Sequence, residues 1–197
     1  MINALVTGVG GGVGQGIIKS IKMIDDLDIR IIAADMSEKA AGLYAGNVSR
    51  LVEACTAPNY LNTLAKIFEN DSIDYYFPGT DVELEFCAKN KEHIQDRYGV
   101  KTVISSLETV LIADDKFKTY MFLKDNDFFF PETKWLTDFV PSEALNFPVI
   151  VKPAVGCRSI GVYKVLNNKE LDKHLMNSDG VVVQELVGND ESEYTCA

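Results

Sequence analysis

Apolar positions along the first part of the chain switch between two periods. INALVTG (2–8) is nearly continuous, as in a strand buried on both faces, and VGQGIIKSIKMI (13–24) carries its apolar residues at helical spacing. IRIIAAD (29–35) repeats the strand pattern, YLNTLAKIFEN (60–70) the helical one, and IDYYFPGTD (73–81) reads as a strand ending in a turn. VELEFCAKNKEHIQDRYG (82–99) predicts a helix, KTVIS (101–105) a short strand, and SLETVLIA (106–113) a weak helix start. Such alternation predicts a parallel, doubly wound sheet whose ligand edge lies at the carboxyl ends of its strands.

The pattern changes after about residue 113. DDKFKTYMFLKDND (114–127) predicts an amphipathic helix, and FFFPETKW an extended segment broken by Pro131. Strands follow at FPVIVKP (147–153), GVYKVL (161–166), VVVQELV (181–187) and SEYTCA (192–197), with one helix at 168–177. Several strands with a single helix among them predict an antiparallel sheet, and so a second, α+β unit.

A chain of 197 residues, 47% apolar and 24% charged, has a globular composition and is long enough for two compact units. The apolar runs are too short to span a bilayer, and MINALVTG lacks the flanks of a signal peptide, so a cytoplasmic protein is expected. The four cysteines are scattered without a CxxC pair, which predicts reduced thiols and no zinc site. A net charge of -10 disfavours nucleic-acid or anionic-membrane partners, so a phosphate ligand must be held by a local cluster of cations.

Two segments could hold a phosphate locally. TGVGGGVGQG (7–16) joins a strand to a helix and could present amides to a phosphate. It departs from the Gly-x-Gly-x-x-Gly dinucleotide fingerprint, with Val13 and Gln15 where glycines are needed, although Asp35 stands where a ribose-binding acid would. A tight turn for close packing is the other reading. The second segment, FPVIVKPAVGCRSIGV (147–162), puts Lys152 on a strand and follows it with a loop holding Gly156, Arg158, Ser159 and Gly161. A strand lysine under a loop of amides, a hydroxyl and a second cation suits a polyphosphate, and Lys116 could add another charge. In VVVQELVG a purine could bond to strand backbone between apolar side chains, while the plainer reading is an edge strand entering a turn. Asp81 and Glu83 follow the PGT turn at a strand's carboxyl end and either face a substrate or sit solvated, complementing a helix dipole. Trp135 and the DFFFPE aromatics are expected to pack the junction between units.

The order of LVTGVGGGVGQGIIKSI, AADMSEKAAGLYA, DYYFPGTDVELE, ADDKFKTYMFL, FPETKW, FPVIVKPAVGCRSIGVYKV and VVQELVGNDESEYT resembles the ATP-grasp superfamily, and within it the carbamoyl-phosphate-synthase-like carboxylate-amine ligases. The resemblance implies an α/β chain: a Rossmann-like pre-ATP-grasp domain with a parallel sheet at 1–112, then the α+β first lobe of an ATP-grasp fold, truncated, at 113–197. It implies that Lys116 reaches the phosphates of ATP, that Lys152 contacts phosphate and adenine, that Gly156 to Gly161 form the mobile phosphate loop, that Glu185, Leu186 and Val187 receive the adenine, and that Glu193 helps bind the ribose or shape the nucleotide site. ATP would phosphorylate a carboxylate, and an amine or ammonia would displace phosphate from the acyl phosphate. The acids for Mg2+ are expected beyond residue 197, with no metal ligands within the chain. On this reading the chain is a fragment that binds ATP weakly without turnover, and its substrates are a small carboxylate and an amine. A homodimer is one compatible assembly, and the sheet edge left open at the chain's end could drive non-native pairing of the fragment. The rival readings are an NAD(P)-binding oxidoreductase or epimerase built on TGVGGGVG, and a noncatalytic nucleotide-binding module.

Overall fold

A computed structural model describes residues 1–142, 145–156, 159–175 and 178–188. They divide into two compact units, Met1–Val110 and Leu111–Ala197.

In the first unit, β1 (Ile2–Val6), β2 (Ile29–Asp35), β3 (Val48–Leu51), β4 (Tyr75–Phe77) and β5 (Lys101–Thr102) alternate with α1 (Gly12–Lys22), α2 (Tyr60–Asn70) and α3 (Asp81–Tyr98). The strands form one parallel sheet in the order β3-β2-β1-β4-β5. Strand side chains alternate between faces, so the near-continuous apolar runs feed two cores. Leu5, Ile32 and Ala34 pack with α2 and α3 residues such as Leu64 and Ile94, while Ala4, Val6, Ile31 and Ala33 pack on the other face with Ile18 and Ile21 of α1.

The glycine cluster serves packing at the sheet's carboxyl edge. Gly8 has a φ of 61°, and a Cβ on Gly14 would stand 2.6 Å from the carbonyl oxygen of Gly8. A Cβ on Gly79, in the turn after β4, would overlap the carbonyl oxygen of Thr7 and lie 3.0 Å from Cα of Gly14. Backbone thus meets backbone where β1 and β4 end, and only glycine permits it. Asp35, the candidate ribose acid, is buried with both oxygens engaged: one accepts from Gly10 N at 2.7 Å, the other from Ser37 N at 2.9 Å.

Asp71, just past α2, is buried and meets β3 and β2. It accepts two bonds from Arg50 of β3, at 2.8 and 2.9 Å, and one from Arg30 of β2 at 3.3 Å. Removing one member of a buried charge cluster strands the others, so Asp71→Ala is expected to destabilise the unit by about 3 kcal/mol. Discounting for the part-exposed arginines still leaves about 2 kcal/mol, readable by urea denaturation.

In the second unit, after α4 (Leu107–Asp114), come α5 (Lys116–Asp125), β6 (Thr133–Trp135), β7 (Val149–Pro153), β8 (Tyr163–Val165), α6 (Asn168–Leu171) and β9 (Val181–Glu185). The strands form an antiparallel sheet in the order β6-β9-β7-β8, with Val149, Val151, Val165 and Val183 in its core. The helix expected over 114–127 instead begins afresh at Lys116. Asp115 caps α5 by accepting from Phe117 N and Lys118 N, and pairs as a bridge with Val155. Of the helix expected over 168–177, Asn168–Leu171 is α-helical, 172–174 form turns, and 176–177, like the strand expected at 192–197, lie outside the described residues.

Candidate nucleotide site

The antiparallel sheet turns two faces in different directions. Val149, Val151 and Val183 fill the core. Directly opposed residues of an antiparallel pair share a face, so the register Ile150↔Gln184, Lys152↔Val182, Thr133↔Gln184 and Trp135↔Val182 puts these six side chains together on the other face. Phe117, in the first turn of α5, stacks on Trp135 with ring centroids 4.5 Å apart. That contact brings the start of α5, and Lys116 with it, onto the same face. Trp135 thus stacks on Phe117 within the second unit.

Two ammonium groups converge here. Lys116 Nζ donates to the carbonyl oxygens of Ala154 at 3.3 Å and Gly156 at 3.1 Å, and its backbone N–H also bonds to Ala154 O at 2.9 Å. Lys152 is partly buried and donates to Gln184 Oε1 at 2.5 Å. Burial, and then the neighbouring charge of Lys116, hold the Lys152 ammonium below the usual lysine range. Among the described residues no carboxylate forms an ion pair with either. A pair of cations with no ion-paired carboxylate among the described residues, in a chain of net charge -10, suits an anion.

The loop after β7 folds back on Pro153. Gly161 has a φ of 75°, and a Cβ there would meet the proline ring at 3.1 Å; Ser159, at φ 55°, is exposed in the same turn. Arg158 lies outside the described residues, as does Glu193. At the far end of β9, Glu185 N donates to Glu132 O at 2.8 Å, and Glu132 N donates back to Glu185 Oε2 at 3.2 Å. Leu186 beyond it is half-buried and Val187 exposed.

The two acids weighed as substrate contacts belong to the first unit. Asp81 opens α3 and is exposed, but Glu83 is buried, 4% accessible, and faces neither solvent nor a substrate. Its carboxylate accepts from Thr7 Oγ1 at 3.0 Å, Thr80 Oγ1 at 2.8 Å, Tyr76 OH at 3.4 Å and Tyr60 OH. Sequence reasoning placed Glu83 by its dipole-favoured position at the start of α3 and missed the hydroxyls that three other segments bring to it. It likewise noted Gln184 only as a strand end.

The chain thus pairs a parallel α/β unit with an antiparallel α+β unit. Residues 5–112 match the PylC-like N-terminal domain and residues 113–194 the ATP-grasp domain. The chain belongs to the ATP-grasp superfamily, with a PylC-like N-terminal domain ahead of its ATP-grasp domain. No curated protein matches its sequence.

Among solved structures, an L-amino acid ligase from Bacillus licheniformis is similar at TM-score 0.68 and 16% identity, over 95% of this chain and 44% of that one. N5-carboxyaminoimidazole synthetase from Staphylococcus aureus, complexed with ADP, is similar at TM-score 0.67 and 16% identity, over 95% and 48%. Biotin carboxylase from Campylobacter jejuni, in a beta-gamma-ATP complex, is similar at TM-score 0.65 and 20% identity, over 96% and 46%. At these identities the likeness is one of fold, and the chain spans less than half the length of each of these three proteins. Among the described residues no helix is long and apolar enough to cross a membrane.

Proposed function

We propose that the whole protein is an ATP-dependent carboxylate-amine ligase, carbamoyl-phosphate-synthase-like, and that this chain contributes the lobe gripping the nucleotide. The observation that carries the reading is the convergence of Lys116 and Lys152 on one sheet face, each held by neutral oxygens and neither ion-paired to a described carboxylate. That chemistry fits a polyphosphate. Lys116 and Lys152 would bind phosphate oxygens, the amides and hydroxyl of the 156–161 loop would cover them, and the backbone from Glu185 to Val187 would receive the adenine between apolar side chains.

ATP supplies a phosphoryl group to the carboxylate of a small substrate, and an amine or ammonia then displaces phosphate from the acyl phosphate. The chain's own part is electrostatic and geometric: neutralising and aligning the phosphates calls for fixed cations and amides, not a protein nucleophile. Among the described residues no three His, Cys, Asp or Glu side chains gather as metal ligands. In this reading the acids for Mg2+ belong to the part of the ligase that its longer structural relatives have and this chain does not span. A cytoplasmic enzyme acting on small molecules, with a homodimer as one compatible assembly, completes the proposal.

The rival NAD(P) reading loses support from Asp35 and the glycine turn, whose polar and steric capacity is spent on the chain itself. Titration calorimetry of the chain with ATP and, separately, NAD tests the choice. Heat of binding with ATP and none with NAD is expected; NAD binding without ATP binding would overturn the proposal.

A further inference from the structure

Lys152 ends a hydrogen-bond chain whose direction is determined at its other end. The carbonyl oxygen of Pro131 can only accept, so the Thr133 hydroxyl spends its proton there, at 2.9 Å. Thr133 Oγ1 can then only accept from Gln184 Nε2, also at 2.9 Å. This turns Gln184 Oε1 toward the Lys152 ammonium, which it receives at 2.5 Å. A lysine is flexible and strongly hydrated, so fixing its ammonium on a strand requires an acceptor. A carboxylate would do that and cancel the charge. Glutamine does it without cancelling anything, as the carbonyls of Ala154 and Gly156 do for Lys116.

We propose that Gln184, oriented by Thr133, is a positioning residue that holds the Lys152 ammonium in place while leaving its charge available to the nucleotide phosphates. The phosphate half of this statement rests on the nucleotide reading above; the holding of Lys152 does not. Position 184 thereby acts on affinity chiefly through the charged end of the ligand.

The test compares Gln184→Glu, Gln184→Leu and Thr133→Val in the 197-residue chain by two readouts. The first, without nucleotide, is the rate at which Lys152 is acetylated by an N-hydroxysuccinimide ester, followed by peptide mass spectrometry. Gln184→Glu should slow it about threefold or more by ion-pairing the amine, and the other two variants should speed it by a similar factor. The second is affinity: Gln184→Glu should weaken ATP about tenfold, because one added charge opposes the phosphates, and leave adenosine within about twofold. Circular dichroism should be unchanged. Lys152 acetylation unaltered in all three variants, or ATP affinity unaltered in Gln184→Glu, overturns the proposal. A wild-type chain that binds no ATP sinks the nucleotide reading, and the acetylation rates then still decide whether Gln184 holds Lys152.

Discussion

Glu83→Ala is expected to destabilise the first unit by about 4 kcal/mol, among the largest effects of any single substitution in the chain. The carboxylate is buried, forms no ion pair among the described residues, and is kept there by the hydroxyls of Thr7, Tyr60, Tyr76 and Thr80. Hydrogen bonds to a charged group are worth about 1.5–3 kcal/mol each, and truncation leaves several buried hydroxyls with no acceptor. Burial, and then Glu83 itself, push the Tyr60 phenol far above its ordinary range, so it stays a donor at any pH the fold survives. Cys87 beside them is pushed up to about 12 by burial and remains a thiol. Tyr60→Phe, which removes one donor and keeps the ring, should lose only about 1–2 kcal/mol. Urea unfolding of the three proteins checks the order, and a Glu83→Ala midpoint equal to wild type would show the cluster to be unimportant.

Glu83 also marks where the sequence stops being readable. Its neighbours come from β1, the start of α2, β4 and the turn before α3, and no local pattern announces that four segments converge. Local pattern succeeds where one element carries its own signal: IRIIAAD and YLNTLAKIFEN form β2 and α2 over the expected residues. It fails at Val48–Leu51, a four-residue edge strand whose VSRL sequence exposes every second residue and has too little apolar content to stand out. It fails again at Asp115, where a capping side chain and a bridge to Val155 divide what looks like one helix.

The nucleotide face is legible in the same uneven way. Lys152 draws notice because a lysine inside VIVKP interrupts an apolar run, and the glycines after it suggest a loop. The two glycine turns, so alike in composition, separate only in three dimensions: Gly8 and Gly14 are pressed against the chain where β1 meets β4, whereas Gly156 and Gly161 of the second turn meet only the ring of Pro153, at 3.7 and 3.1 Å. Gln184 gains meaning only from the antiparallel register, which sets it across from Ile150 and Thr133.

Lys152→Glu should weaken ATP binding at least about a thousandfold. A unit charge about 4 Å from another is worth roughly 4 kcal/mol at an effective dielectric near 20, and the substitution removes a cation from the phosphates and sets an anion in its place. Solvent at this part-buried face reduces each contribution, and about half of the total suffices for the predicted loss. Stability should move the other way. Folding brings Lys152 out of water and next to Lys116, and so disfavours its protonated form. Below the lowered pKa the charge therefore opposes folding, and stability rises with pH between that value and the ordinary lysine range. Exchanging the cation for a carboxylate beside Lys116 relieves the repulsion, so the thermal midpoint of Lys152→Glu should equal or exceed that of wild type. Titration with ATP and thermal denaturation of the same sample read both quantities. Affinity lost with stability kept identifies a ligand-binding charge; affinity and stability lost together would mark Lys152 as part of the scaffold and remove the main support for the site.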